Sequence, residues 1–218
     1  VRASFDSFVV QNEVAYILHA GQKLKSEVIR VRGNTAEMQV FESTRDLKVG
    51  DEIEFTGELL SVELGPGLLG QIFDGLQNPL PHLAEQCGNF LKRGIYIEPL
   101  SDKELWEFTP IVKRGDMARP GERIGFVPEK IFKHYCMAPF HLIGPHEVVR
   151  IASKGKYTVK QPVVEIKDQD GNITEVFLSQ NWPVKIAIKA YAEKIRPSEP
   201  LITKMRLIDS LFPVARGG

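Results

Sequence analysis

The sequence predicts a mainly β protein with two β-rich domains and a few short helices. Three observations predict it: short runs in which apolar and polar residues alternate, turn pairs such as Gly-Asn and Asp-Gly between those runs, and one glycine- and proline-rich segment at 64–80. Short strands joined by tight turns are typical of small barrels and sandwiches. A chain of 218 residues is long enough for one or two domains with a real core.

Residues 1–63 predict a small N-terminal β-barrel. Apolar residues alternate through 14–19 and return in a second run at 28–31. The pair Gly33-Asn34 then predicts a two-residue hairpin, because both residue types tolerate the positive φ that such turns need. A further turn at 48–51 precedes a strand in which apolar residues alternate with charged ones.

Residues 64–80 predict a crossing segment between the two domains. Gly65, Pro66 and Gly67 require a sharp turn, since glycine takes φ > 0 freely and proline fixes φ. The apolar residues of 72–76 predict a short buried helical turn. Pro79 ends that turn, because the residue before a proline avoids the α region.

The crossing segment also matches G-x-G-x-x-G, from Gly65 to Gly70. A dinucleotide site needs in addition a full βαβ unit with an acidic residue at the end of its second strand. Pro79 and Pro81 cut the following helix short, and no second parallel strand follows. The pattern therefore favours a structural turn over a nucleotide site.

Residues 81–183 predict a second, β-rich domain. A short helix over 81–87 begins it, with Pro81 in the first turn and Gly88 or Gly94 after the last. The Ser-x-x-Glu pattern at 101–104 predicts one more helical turn. From 106 to 182 the pattern is β, with predicted turns at 113–116, at 120–122, at 154–155 between runs 148–152 and 157–164, and at 170–171 between runs 163–167 and 173–178.

Residues 184–218 predict a connector punctuated by Pro197 and Pro200, which runs through Tyr191. Four apolar residues at helical spacing predict a short amphipathic helix that packs into a core before Pro213: Leu201, Met205, Ile208 and Phe212.

Composition excludes several functions. The 28 basic and 28 acidic residues give a net charge of zero, which argues against nonspecific nucleic-acid binding. No apolar run approaches the length of a membrane span, and no signal peptide is visible. Cys87 and Cys136 admit a disulfide or a redox pair, but two buried thiols in a reducing cytosol are the favoured interpretation.

Four potential metal ligands lie close together in sequence: His134, Cys136, His141 and His146. Their spacing matches no standard zinc pattern, and two prolines interrupt the segment. Scattered histidines are therefore favoured over a metal site.

The stretch from Ser61 to Leu80, SVELGPGLLGQIFDGLQNPL, resembles the catalytic A subunit of V-type (vacuolar/archaeal-type) rotary ATPases. There SVELGPG, followed by G-I-x-D-G-I/L-Q-x-P-L, leads out of the N-terminal barrel. The final stretch 200–218 is similar to that family's approach to its phosphate-binding loop. Residues 81–183 resemble the insertion, or bulge domain, that distinguishes V-type A subunits from F-type β subunits. The run at 185–190 departs from the Arg/Pro-rich stretch usual in the family.

The resemblance implies an intact subunit that binds ATP and Mg²⁺ beside B subunits in an alternating hexameric ring. ATP hydrolysis or synthesis would be coupled there to proton or sodium transport, with central and peripheral stalk subunits as further partners. It also implies a cytoplasmic location, peripheral to the membrane and without direct membrane insertion.

The phosphate-binding motif G-x-x-x-x-G-K-[S/T] is absent, since the only Gly-Lys pair, Gly155-Lys156, is followed by Tyr157. We therefore expect an N-terminal fragment that ends before the nucleotide site and starts without an initiator Met. Such a fragment would hold no catalytic, cofactor-binding or metal-binding residue, and would serve assembly and stalk contacts.

Two alternatives stay open. One is a free-standing β-rich binding or structural module without catalysis. The other is a carrier domain that presents Lys154 or Lys156 at a hairpin tip for a covalent cofactor, although the residues around them lack the usual context, which favours two solvated lysines.

Overall fold

The computed structural model describes residues 1–88, 90–189 and 195–217, so part of the predicted connector, including Tyr191, lies outside the described residues. The chain divides into two compact units, Val1–Ala187 and Ile188–Gly218. The predicted mainly β fold is confirmed, because strands dominate the described residues and only two short helices accompany them.

The N-terminal part of the first unit is one antiparallel sheet in the order β1-β4-β3-β2-β5. Its core includes Ala15, Ile17 and Leu24. The two edge strands approach each other through Phe5 and Phe55, whose ring centroids lie 5.8 Å apart. The sheet therefore curls into a half-barrel, in which side chains rather than hydrogen bonds join the edges. Its strands are β1 (Arg2–Ser4), β2 (Glu13–His19), β3 (Gln22–Arg32), β4 (Thr35–Val40) and β5 (Glu52–Leu59).

Both turns predicted in this sheet are confirmed. Arg32 pairs directly with Thr35, which leaves Gly33-Asn34 as a two-residue hairpin loop, and Gly33 has φ +55°. The turn at 48–51 closes on itself, since the backbone N–H of Lys48 donates to Asp51 Oδ2 at 2.7 Å.

Acid pH is expected to weaken the turn at 48–51. The donated N–H of Lys48 lowers the pKa of the Asp51 carboxyl below its ordinary 3.8, and His19, whose Nδ1 lies 2.9 Å from Oδ2, adds to this. A depressed carboxyl pKa contributes stability above the unfolded-state value, and that contribution is lost as pH falls through the folded-state value. We expect Asp51→Asn to flatten the pH dependence of urea unfolding below about pH 4. Asp6→Asn is the control, since Asp6 makes no side-chain bond within the described residues, and an unchanged slope for Asp51→Asn would contradict the assignment.

The second part of the first unit begins and ends with two strands that pair with each other, and the residues between these strands in sequence form a two-sheet sandwich. Its elements are β6 (Ser61–Leu64), α1 (Leu80–Cys87), β7 (Trp106–Pro110), β8 (Met117–Ala118), β9 (Arg123–Glu129), β10 (Phe132–Met137), β11 (His146–Ile151), β12 (Gly155–Tyr157), β13 (Val164–Lys167), β14 (Ile173–Val176) and β15 (Gln180–Pro183).

One sandwich sheet has the order β10-β9-β7-β12 and the other β14-β13-β11-β8. Their facing side chains share one buried core, in which Phe108 and Ile124 from the first sheet join Val148 and Ile166 from the second. All four are fully buried. Burial on this scale is the main force that holds two sheets together.

Several local predictions for this part are confirmed. Helix α1 has a proline in its first turn and is followed by Gly88 at φ +66°. Strands β13 and β14 form the hairpin predicted around Asp170-Gly171, with Lys167 paired to Ile173.

The helical turn predicted at 72–76 is wrong. The segment is a loop, and Ile72 is 66% exposed. Asp74 Oδ1 accepts the backbone N–H groups of Leu76 and Asn78 at 2.9 and 2.8 Å. An aspartate that bonds to nearby amides offers the backbone an alternative to helix.

The helical turn predicted at 101–104 is also wrong. Ser101 Oγ accepts the N–H of Lys103 at 3.3 Å, which closes a local bend instead of capping a helix.

The predicted turn at 154–155 does not join two strands of one sheet. Strand β12 leaves β11 and pairs with β7 in the opposite sheet, with Gly155 facing Phe108. The chain therefore crosses between sheets here, an outcome that a local turn signal does not distinguish from a hairpin.

In the second unit a short helix is present as α2 (Arg206–Leu211), but of the four apolar residues that predicted a helix only Ile208 lies within it. Its expected core packing is not found, because Leu201 and Phe212 are 46% and 71% exposed. Backbone bonds from Leu201 to Val214 and from Arg216 to Glu199 close the unit. Neither described helix has the length and apolar character required to cross a membrane.

Candidate functional site at the crossing segment

The crossing segment begins as one strand of a two-stranded stem. Strand β6 runs antiparallel to β15, from Ser61 opposite Pro183 to Leu64 opposite Gln180. The chain therefore enters and leaves the sandwich on adjacent strands.

One side chain forms hydrogen bonds with the backbone on the side of β6 that faces away from β15. Gln77 Oε1 accepts the backbone N–H of Glu63 at 2.8 Å, and Gln77 Nε2 donates to the Glu63 carbonyl at 2.7 Å. The amide of Gln77 thus replaces a third strand at this position, which leaves neither backbone group of Glu63 unpaired.

Glu63 and Gly65 fix the stem against the sandwich. The Glu63 carboxylate is largely buried, accepts a hydrogen bond from Ser179 Oγ at 2.8 Å and lies 3.8 Å from Lys160 Nζ. A Cβ on Gly65 would stand 2.7 Å from Ser179 Cβ and 2.8 Å from Leu100 Cδ1. Glycine is required at 65 because the chains approach closely, not because of a positive φ.

The turn from Gly65 to Gly70 is held by a buried carboxylate. Glu129 Oε1 accepts the backbone N–H groups of Gly67 and Leu69 at 2.8 and 3.2 Å, and Glu129 is only 2% exposed. His134 Nδ1 lies 3.0 Å from Glu129 Oε2, close enough for an ion pair but outside hydrogen-bond geometry.

This arrangement supports a structural turn over a phosphate loop. A phosphate would need the amides of the turn as donors, and the chain's own Glu129 already occupies two of them. The segment after the turn is a loop as far as Pro79, so the turn does not lead directly into a helix N-terminus as a phosphate loop does.

Two further contacts join the loop at 93–98 to its neighbours. Asn78 Oδ1, in a buried side chain, accepts the N–H of Ile97 at 2.8 Å. The Tyr96 hydroxyl accepts the N–H of Lys25 at 2.6 Å and lies 3.3 Å from Glu42 Oε2. Burial raises the pKa of the Tyr96 hydroxyl, so it stays protonated and ties the loop at 93–98 to strand β3 of the N-terminal sheet.

The outgoing strand is tied to the N-terminal sheet by Lys185. Its Nζ lies 2.7 Å from Oε1 of the buried Glu27 and 3.2 Å from Asn12 Oδ1. The stretch at 185–190, which differs from the usual family pattern, thus begins with a lysine that has a specific structural role.

Lys185→Ala is expected to lower the free energy of unfolding by about 1 kcal/mol, because it leaves the Glu27 carboxylate buried without its cation. The estimate is modest because half of the Lys185 side chain is exposed. Urea unfolding would measure it beside Lys92→Ala, an exposed lysine with no ion pair within the described residues. Equal stabilities of the two variants would contradict this role.

The sequence-predicted candidates lie apart from this segment or serve it structurally. Cys87 and Cys136 are free, buried thiols, and burial raises the pKa of Cys136 to about 12. The described residues contain no group of three or more His, Cys, Asp or Glu side chains placed to bind a metal. Gly155-Lys156 lies in strand β12, and Lys154 pairs with Glu107 at 3.0 Å.

Sequence reasoning missed Glu129, Gln77 and Tyr96. A signal existed only for Glu129, which follows Gly125 and Val127 at strand spacing on the buried face of β9. A carboxylate on an apolar face needs a partner, and this one finds it in the turn at 65–70.

Comparison with known proteins identifies both domains. Residues 3–57 match the β-barrel domain of the ATP synthase alpha/beta family, and residues 97–185 match the ATP synthase alpha/beta subunit barrel-sandwich domain. These ranges coincide with the half-barrel and with the two-sheet sandwich.

The whole chain is similar to V-type ATP synthase alpha chains, of which three serve as examples. It is 53% identical to that of Treponema denticola and 50% identical to alpha chain 1 of Treponema pallidum, over 100% of this chain and 37% of each relative. It is 47% identical to the protein of Borreliella burgdorferi strain ZS7, over 100% of this chain and 38% of the relative. The chain thus spans a little over a third of the length of these relatives, and it belongs to the ATP synthase alpha/beta family, with the barrel and sandwich domains found in the N-terminal region of V-type alpha chains.

Proposed function

We propose that this chain is the N-terminal, non-catalytic part of the catalytic A subunit (alpha chain) of a V-type rotary ATPase/ATP synthase. The observation that carries the proposal is the similarity to V-type ATP synthase alpha chains along all 218 residues. The intact subunit would couple ATP hydrolysis or synthesis to proton or sodium transport. It would bind ATP and Mg²⁺ with residues outside this span, at the cytoplasmic side of a membrane-bound complex.

The role of this part would be assembly. The half-barrel would contact neighbouring B subunits in the hexameric ring, and the sandwich, as the bulge domain, would contact stalk subunits. We retain the domain limits 1–63, 64–80, 81–183 and 184–218 as part of this proposal. Three polar contacts support it: Glu63 and Glu129 join the crossing segment to the sandwich, and the Tyr96 hydroxyl joins the loop at 93–98 to Lys25 of the half-barrel.

A chimera tests the proposal. Residues 1–218 would replace the matched region of the Treponema denticola alpha chain, and Mg-ATP binding would be measured by calorimetry for the isolated chain, the chimera and the parent. We expect binding by the chimera and the parent but not by the isolated chain. Co-expression with the cognate B subunit should give a ring of the same size with chimera and parent.

Two results would contradict it. A folded chimera that binds Mg-ATP but forms no ring would exclude the assembly role. Mg-ATP binding by the isolated chain would show that this span itself holds a nucleotide site, and the turn at 65–70 would then be the candidate phosphate-binding loop.

A further inference from the structure

Strands β9 and β10 form a hairpin whose outward face combines cations with aromatic rings. Their register places Tyr135 opposite Phe126, on the face turned away from buried Val127. The Arg123 guanidinium lies 4.1 Å from the centre of the Tyr135 ring, and Lys133 Nζ lies 5.0 Å from that of Phe126. The two rings meet edge to face at 6.4 Å. We call these four residues the basic hairpin face.

The charge of the basic hairpin face is not neutralised. Within the described residues, neither Arg123 nor Lys133 lies within 4.0 Å of a carboxylate, although other lysines and arginines form nine such pairs there. The two acidic residues of the hairpin region point away: Glu129 bonds to the buried turn, and Glu122 Oε2 accepts the N–H of Arg119. A chain of zero net charge thus carries a local positive surface.

The hairpin tip beside this face is apolar and exposed. Ile131 is 88% exposed and Phe132 is 57% exposed. Strand β10 is an edge strand, since it pairs only with β9. A lysine on an edge strand discourages aggregation, which explains Lys133 but not two exposed apolar side chains next to it.

We propose that the basic hairpin face and its tip bind an elongated acidic segment of a partner protein, whose carboxylates meet Arg123 and Lys133 and whose apolar residue covers Ile131 and Phe132. Complementary charge supports specificity and fast association, and a central apolar contact supplies affinity. The inference goes beyond the proposed function and does not depend on it.

An anionic membrane fits the surface less well. Arg123 stands at the open end of the hairpin, roughly 20 Å from the tip at the rise of a β-strand. A membrane that received the tip would leave Arg123 beyond the screening length of about 8 Å at physiological salt. A segment that lies along the strands reaches both ends.

Single-stranded nucleic acid also fits less well. Such ligands stack their bases on aromatic faces. On this surface Arg123 and Lys133 already cover faces of Tyr135 and Phe126.

The test uses the full 218-residue chain and a fluorescein-labelled random copolymer of glutamate and tyrosine, with binding followed by anisotropy. We expect R123E/K133E to weaken binding at least about tenfold, since it replaces attraction by repulsion at both ends of the face. The control R32E/K92E changes the net charge equally at exposed cations elsewhere and should stay within about twofold. I131S/F132S should weaken binding without changing its salt dependence.

R123Q/K133Q provides a milder variant if charge reversal disturbs folding, which circular dichroism would reveal. The proposal is overturned if the wild-type chain does not bind the copolymer, or if the control pair loses as much affinity as the face variants. It is equally overturned if phosphatidylserine vesicles or polyadenylate bind the face more tightly than the copolymer does.

Discussion

Gly125→Ala is expected to lower the free energy of unfolding by about 3 kcal/mol, at the upper end of the cost of overpacking a core. A Cβ at 125 would lie 2.2 Å from Phe108 Cε2, 2.5 Å from Cζ and 2.9 Å from the Thr109 carbonyl oxygen. Phe108 is fully buried and the carbonyl belongs to the paired strand β7, so neither can move away without breaking other contacts. Urea unfolding measures the change.

Gly75→Ala is the matched control, since its Cβ would meet no atom within 4 Å. The double variant F108L/G125A should recover part of the loss, because leucine leaves space for the added methyl group. A Gly125→Ala protein as stable as Gly75→Ala would show that the ring of Phe108 has room to shift.

Glu129→Ala is expected to have the second large effect, a loss of about 2 kcal/mol in the free energy of unfolding, because a buried donor left unsatisfied costs about 1–3 kcal/mol. It removes the acceptor of the partly buried Gly67 N–H and of the N–H of Leu69, a residue that is 45% exposed. Glu129→Gln should lose less, because its carbonyl oxygen retains one acceptor. Amide exchange followed by NMR provides the specific readout: the Gly67 and Leu69 amides should exchange faster in Glu129→Ala.

Glu104→Ala controls for the loss of one exposed carboxylate, since Glu104 makes no side-chain bond within the described residues. If the Gly67 and Leu69 amides exchange at the same rate in Glu129→Ala as in the wild type, Glu129 does not accept their hydrogen bonds and the prediction is wrong.

Features encoded by neighbouring residues were predictable. Gly33-Asn34 specifies its hairpin because Gly33 readily adopts the positive φ that the first position of the turn requires. The turn at 48–51 and the helix ended by Gly88 follow the same logic. In each case the residues whose type predicted the turn or helix end are the same residues that form it.

The errors occurred where a distant or competing contact decides the structure. The apolar run at 72–76 has helical spacing, but the Asp74 carboxylate takes the amides that a helix would use. Lys154-Gly155 gave the signal of a turn, yet the partner of β12 is β7, about fifty positions earlier in the chain.

The candidate site was predictable only in part. Gly67 has the positive φ of +106° that the sequence predicted, but glycine is needed at 65 because of Ser179 and Leu100, which the linear sequence does not place nearby. That this chain contains no catalytic residue stays a prediction.

The pairing of β6 with β15 has an evolutionary consequence. Because the incoming and outgoing chains lie side by side, about 4.8 Å apart in a β-ladder, the ends of the sandwich are already joined in space. A gene could gain or lose the intervening residues as a single cassette, with a short turn left to close the stem. The half-barrel would keep its own strand order and core in either version, so the two domains are free to diverge at different rates.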